Sequence, residues 1–252
     1  MKIKVIKQER GKMEYYALVK KNIMKITFFV SIFILFSCSD DESNPASTGS
    51  PAHETGTVTD IEGNTYKTIK IGDQWWMAEN LKVSTYRNGD EIPRVLYDDY
   101  WGNLTTGACC APSGMASNIA TYGRLYNWYA VNDSRKIAPE GWHVASNAEW
   151  ETMVNYLGGY DVAGGKMKQK GTMTWANPNK GATDASGFCV LPAGSRSHDG
   201  HFYGLTEWAH FWTSTMINST DARKWDLYFN STKCLSHESQ KIYGYSVRCV
   251  MN

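Results

Sequence analysis

Apolar and polar positions along the chain follow two periods, and each change of period marks an element. From Tyr122, apolar residues recur at Leu125, Tyr126 and Tyr129, with Trp128 beside them. That i, i+3, i+4, i+7 spacing makes one stripe and predicts a helix. Pro139-Glu140-Gly141 breaks the chain, and Trp142-His143-Val144 reads as a short strand. Ser146 with Glu149 three residues on is a capping box, in which each side chain satisfies an orphan backbone N–H. Trp150, Met153, Val154 and Leu157 continue this second helix, and Gly158-Gly159 stops it.

A period of two rules elsewhere. Residues 57–60, 66–71 and 74–78 read as three short strands, with turns at Glu62-Gly63-Asn64 and Gly72-Asp73. An irregular region runs from Gly89 to about Ala120. Residues 163–168 predict a short third helix, 188–192 a buried strand, and 195–204 a polar loop. Trp225, Leu227 and Phe229 alternate with Lys224, Asp226 and Tyr228, the signature of a half-buried strand. The last segment, 243–250, puts Tyr245, Val247 and Cys249 on one face. Strands flank the helices on both sides in sequence, so the expected class is α+β with mostly antiparallel pairing.

Composition adds weight to the rings. The chain carries 10 Trp, 15 Tyr, 8 Phe and 22 Gly, which suggests a loop-rich fold anchored by large aromatics. The formal charge of +1 misleads, because eight of the 26 Lys/Arg and only two of the 25 acidic residues lie in the first 37. The remainder has 18 basic against 23 acidic residues, which excludes a basic nucleic-acid-binding surface.

The N-terminus reads as a targeting segment. Lys20, Lys21 and Lys25 precede an apolar run over 26–36, too short to span a bilayer and suited to a signal peptide. Met24 is the expected start, with 1–37 as the signal region. Leu35-Phe36-Ser37-Cys38 resembles a bacterial lipobox, which implies acylation of Cys38. Ser39-Asp40-Asp41-Glu42 resembles the acidic tag that sends Bacteroidota lipoproteins to the outer face of the outer membrane. Residues 38–55, rich in Ser, Pro, Ala and Gly, are the expected lipidated tether.

The phrases GNTYKTIKIGDQWWMAENL, WGNLTTGA, ATYGRLYNWYAVNDSRKIAPEGWHV, GFCVLPAGSR, FWTST and GYSVRCV, in that order, resemble the Fibrobacter succinogenes major paralogous domain over 56–252. The resemblance implies a C-type-lectin-like fold, in the branch shared with formylglycine-generating enzymes. Two helices would pack on a twisted antiparallel sheet, with the first and last strands pairing. It carries no settled activity.

Five cysteines remain after Cys38, so at least one is unpaired in an oxidising compartment. The family resemblance places cysteines at Cys110 and Cys249. It implies a Cys110–Cys249 bridge and leaves Cys189 to pair with Cys234, with Cys109 free.

Candidate chemistry is sparse. Lectins that bind sugar through calcium use Glu-Pro-Asn and Trp-Asn-Asp, whereas this chain offers only Trp225-Asp226, far short of the oxygen ligands that calcium needs. The formylglycine-generating enzymes use a close cysteine pair, whereas Cys234 and Cys249 stand 15 apart. His198-Asp199-Gly200-His201 could supply metal ligands but reads as a solvated turn without a third ligand. His143 reads as a hydrogen-bonded structural histidine. Asp98-Asp99 is a weak hint of glycoside chemistry. No nucleophile motif or cofactor loop is present, and no cofactor or metal is expected.

The stronger lead is aromatic. The irregular regions 97–101 and 201–208 carry more rings than a core should need, and Tyr100, Trp101, Tyr203 and Trp208 are the candidate ligand-binding residues. The sequence thus points to a lipid-tethered, outward-facing binding module for a glycan or surface protein, working without calcium. An adhesin component and an enzyme on the formylglycine-generating fold are the alternatives.

Overall fold

The computed structural model describes residues 53–252. The signal region, Cys38 and most of the tether lie outside the described residues. The described chain mixes sheet and helix, with sheet dominant, as an α+β architecture requires.

The first sheet is built from β1 (Thr55–Thr59), β2 (Thr65–Ile71), β3 (Gln74–Met77), β6 (Trp142–Val144) and β12 (Cys249–Met251), in the order β1-β2-β3-β12-β6. Local chemistry makes the first hairpin. Asp60 accepts from the Glu62 and Asn64 backbone N–H groups at 2.9 and 3.0 Å and from the Tyr66 hydroxyl at 2.6 Å. The carboxylate thereby mimics the missing turn partners. The expected pairing of the first and last strands is not formed: β12 sits between β3 and β6, with Val250 opposite both Trp76 and His143, and β1 pairs with β2 alone at the edge of the sheet.

The second sheet holds β7 (Ala193–Arg196), β8 (Phe202–Leu205), β9 (Trp208–Met216), β10 (Asp221–Tyr228) and β11 (Cys234–Gln240), in the order β11-β10-β9-β7-β8. Its ladders are antiparallel apart from the contact of β7 with β9. A third, two-stranded sheet pairs β4 (Cys109–Cys110) with β5 (Leu125–Tyr126). Residues 244–246 stitch the sheets together. Gly244 bridges Arg196, Tyr245 bridges Tyr126, and Ser246 bridges Phe211.

One of the two main core clusters is centred on aromatic rings. Trp150, on the helix α4 (Asn147–Tyr156), packs edge-on to Trp76 at 5.3 Å and Phe188 at 5.6 Å and stacks on Trp225 at 5.8 Å. Ser146 caps α4 through the predicted capping box. Eight of the ten tryptophans are buried. Arg248, also buried, fastens the core to its surroundings by donating to Asn80 Oδ1 and to the Met77, Phe188 and Cys189 carbonyls.

Several expectations are corrected. The stripe from Tyr122 to Tyr129 is not one helix. A one-turn helix α2 (Ile119–Tyr122) ends at Gly123, β5 follows, and a second short helix α3 (Trp128–Val131) starts at the Asn127 cap. Gly123 holds φ at +75°, and a Cβ there would lie 2.8 Å from the Leu81 carbonyl oxygen. The expected pair of long helices is therefore reduced to α4, with α2, α3, α1 (Asp98–Trp101) and α5 (Ala163–Met167) of only four or five residues.

The expected strand at 188–192 is broken by Cys189, whose φ is +52°, and extended pairing starts at Ala193 instead. The expected polar loop 195–204 contains most of the β7–β8 hairpin. The strand carrying Trp225 is covered on both faces, since Lys224 and Asp226 are buried too.

Neither expected disulfide is formed. All five described cysteines are free thiols. Cys110 packs in a small cluster with Trp101 and Leu125, Cys249 in the cluster around Tyr126 and Trp212, and Cys234 in the Trp150 cluster, so burial distributes them into different packing groups.

Candidate functional site

The two aromatic regions singled out by sequence meet in space, and Arg196 is the reason. Its guanidinium is buried between the rings of Trp101 and Phe202, 4.5 and 4.9 Å from their centroids. It donates to the Val95, Leu96 and Gly200 carbonyls and to Asp98 Oδ1, at 2.5, 3.2, 2.7 and 3.1 Å. Every nitrogen of the fork is thus used to tie the 95–98 segment to the β7–β8 turn. That turn closes by Asp199 accepting from the His201 backbone N–H at 3.0 Å, while His201 Nδ1 lies 2.9 Å from Asp98 Oδ2. Gly200 holds φ at +85°, and a Cβ there would come within 2.4 Å of the Asp98 Cα, so only glycine lets the loops approach.

The candidate rings divide sharply. Tyr100 is 69% exposed, and Tyr97, in the same region but not among the four candidate residues, is 72% exposed with its ring 6.0 Å from that of Tyr100. Tyr203 is 46% exposed and donates to Asp199 Oδ2 at 3.2 Å. Trp208 is half-buried, edge-on to His210 at 5.8 Å. Trp101 is fully buried and belongs to the core, which corrects its assignment as a ligand contact.

Next to Trp208 lies a titratable cluster that the sequence did not announce. β9 and β10 set His210 opposite Asp226, and Tyr228 opposite Trp208. Asp226, wholly buried, receives His210 Nδ1 in a short contact, Lys224 Nζ at 2.5 and 2.6 Å, and His237 Nδ1 at 2.7 Å. Burial holds His210 below the usual histidine range. His210 and Lys224 hold the Asp226 carboxyl well below its ordinary value, against the opposing cost of burial. The ionised Asp226 is thus saturated by cationic and N–H partners. It has no capacity left for a calcium ion, and its surroundings would repel one.

The remaining candidates resolve simply. His143 is hydrogen-bonded on both nitrogens, to Asn252 and Glu149. His198 turns towards the Tyr243 hydroxyl at 2.9 Å. Among the described residues no group of three or more His, Cys, Asp or Glu could hold a metal ion. Burial pushes the Cys109 and Cys110 thiols up to about 11 and about 12 and raises those of Cys189, Cys234 and Cys249. All five are therefore protonated and poor nucleophiles at neutral pH.

Beside the Tyr97–Tyr100 loop opens a recess of about 420 Å³. Arg94, Arg124 and Arg196 line it together with Val95, Leu96, Ile119 and Phe202, and no acidic side chain does. Arg196 is spent on the loops, and Arg124 donates through Nε to the Lys82 carbonyl. The Arg94 guanidinium makes no hydrogen bond or ion pair among the described residues, so it stays available to a ligand.

Residues 69–251 match the family model of the Fibrobacter succinogenes major domain. No curated protein and no solved structure matches the chain.

Proposed function

The chain belongs to the Fibrobacter succinogenes major domain family, and from that premise we propose that it is a binding module for a glycan or surface polymer, held on the outer face of the outer membrane by a lipid on Cys38 and working without calcium. The carrying observation is the convergence of two loops on Arg196, which leaves Tyr97, Tyr100 and Tyr203 exposed on a rigidly held surface. Flat rings fixed in this way stack on sugar faces at little entropic cost, because the buried fork beneath them has already ordered the loops.

The lectin-like arrangement is part of the same proposal. It is supported by the last strand, β12, lying in the same sheet as β1, with β2 and β3 between them. The calcium-free part is supported by the saturation of Asp226. A single shallow platform should bind on the order of micromolar to millimolar, strengthened by many copies on one surface. A glycan array probed with and without chelator tests the reading. Retention of at least one glycan in both conditions is expected. Chelator-dependent binding would remove the calcium-free claim, and release of product from a bound polymer would reinstate the enzyme alternative.

A further inference from the structure

We propose that the recess lined by Arg94, Arg124 and Arg196 receives the carboxylate of a uronic acid residue, so that the preferred ligands are acidic glycans. This rests on the glycan reading and narrows it. The recess has no acidic wall, Arg196 at its edge is paired with Asp98, and the Arg94 guanidinium has no partner among the described residues. A planar carboxylate matches a guanidinium fork in two parallel hydrogen bonds, which a neutral hydroxymethyl group cannot do. The other walls, Val95, Leu96, Ile119 and Phe202, are apolar and suit the C–H face of a pyranose ring. Its volume of about 420 Å³ lies within the range of small-ligand sites.

The surroundings favour a sugar over an acidic peptide. Leu96, a wall of the recess, leads directly into Tyr97, whose exposed ring lies 6.0 Å from that of the exposed Tyr100. A polymer whose charged unit enters the recess can lay a neighbouring unit on those rings. Each repeat then contributes one charged contact and one stacking contact.

The test uses the full chain in detergent, with polygalacturonate, alginate and hyaluronan as probes and the carboxyl-reduced form of each as control. Binding to at least one native polymer is expected, at least about tenfold weaker to its reduced form. Arg94→Gln should lose about tenfold in affinity at an unchanged melting temperature, since no internal bond is removed, and Arg94→Lys should fall between. Equal affinity for native and reduced polymer would overturn the uronate assignment while leaving glycan binding intact. So would retention of neutral glycans alone, or equally tight capture of dextran sulfate or polyglutamate, which would mark a general polyanion surface. Failure to bind any glycan, neutral or acidic, would remove both readings together.

Discussion

Tyr100 leaves its ring in solvent, whereas Trp101, one position on, turns its indole beneath the Arg196 guanidinium. Their substitutions should therefore read out differently. Tyr100→Ala or Tyr203→Ala should weaken glycan retention several-fold with little change in urea midpoint. Trp101→Ala should cost about 3–5 kcal/mol of stability, as large-to-small changes in a packed core do. Denaturant melts beside binding isotherms separate the two, and a Trp101→Ala chain of unchanged stability would refute the core assignment.

The Asp226 cluster makes a second prediction at this scale. His210, whose folded pKa is depressed, contributes stability present above its unfolded value of about 6.5 and lost as pH falls below it. Asp226, also depressed, contributes stability present above about 3.9 and lost only as pH falls through its far lower folded value. Lys224, His237, Tyr228, Tyr245 and Trp208 face the pair. Thermal melts from pH 8 to 5 should show less acid destabilisation in His210→Gln than in the parent chain. Identical slopes would show that His210 does not titrate in this window.

Elements form where a few side chains settle the backbone's unpaired groups. Ser146 and Glu149 do so for α4, and Asn127 does so for α3 by accepting the Ala130 N–H. Lys168, directly after α5, works at longer range. It is fully buried, and its ammonium donates to the carbonyls of Lys180, Tyr228 and Ser231 at 3.0, 3.0 and 2.8 Å, above the Trp175 ring. It thereby joins α5 to the end of β10. Lys168→Met keeps the length but removes the donor to three partly buried carbonyls, and should destabilise by about 2 kcal/mol in equilibrium unfolding. A loss below about 1 kcal/mol would mean that water replaces the ammonium. The strand pattern 224–229 and the α4 cap are local signals, and both were legible. The helix expected from Tyr122 to Tyr129 failed because its spacing suits a helix while Gly123 sits against the Asn80–Leu81 backbone, and that contact lies far off in sequence.

At the scale of the whole molecule, attachment and display are separable from folding, because the described residues 53–252 fall within one compact unit. Cys38→Ala should abolish membrane retention, and protease added to intact cells should remove the domain from the parent. A domain that survives until lysis would refute outward display. The sequence by itself determined the α+β class, the hairpins at Glu62-Gly63-Asn64 and Gly72-Asp73, the capped helix and the family, since these rest on turn chemistry, caps and residue order within short windows. It also marked regions 97–101 and 201–208 as the place to look for binding. Only the tertiary structure decided which rings are free. Eight of ten indoles are consumed by a core that composition alone left uncounted, Trp101 among them, while Tyr97 stays outside. Arg94 and Arg124, 30 positions apart, share a recess, and His210 and Asp226 meet across a strand pair. The physical reason is common to all of these. Burial and charge pairing depend on contacts between residues distant in the chain, and no periodicity within a window records them.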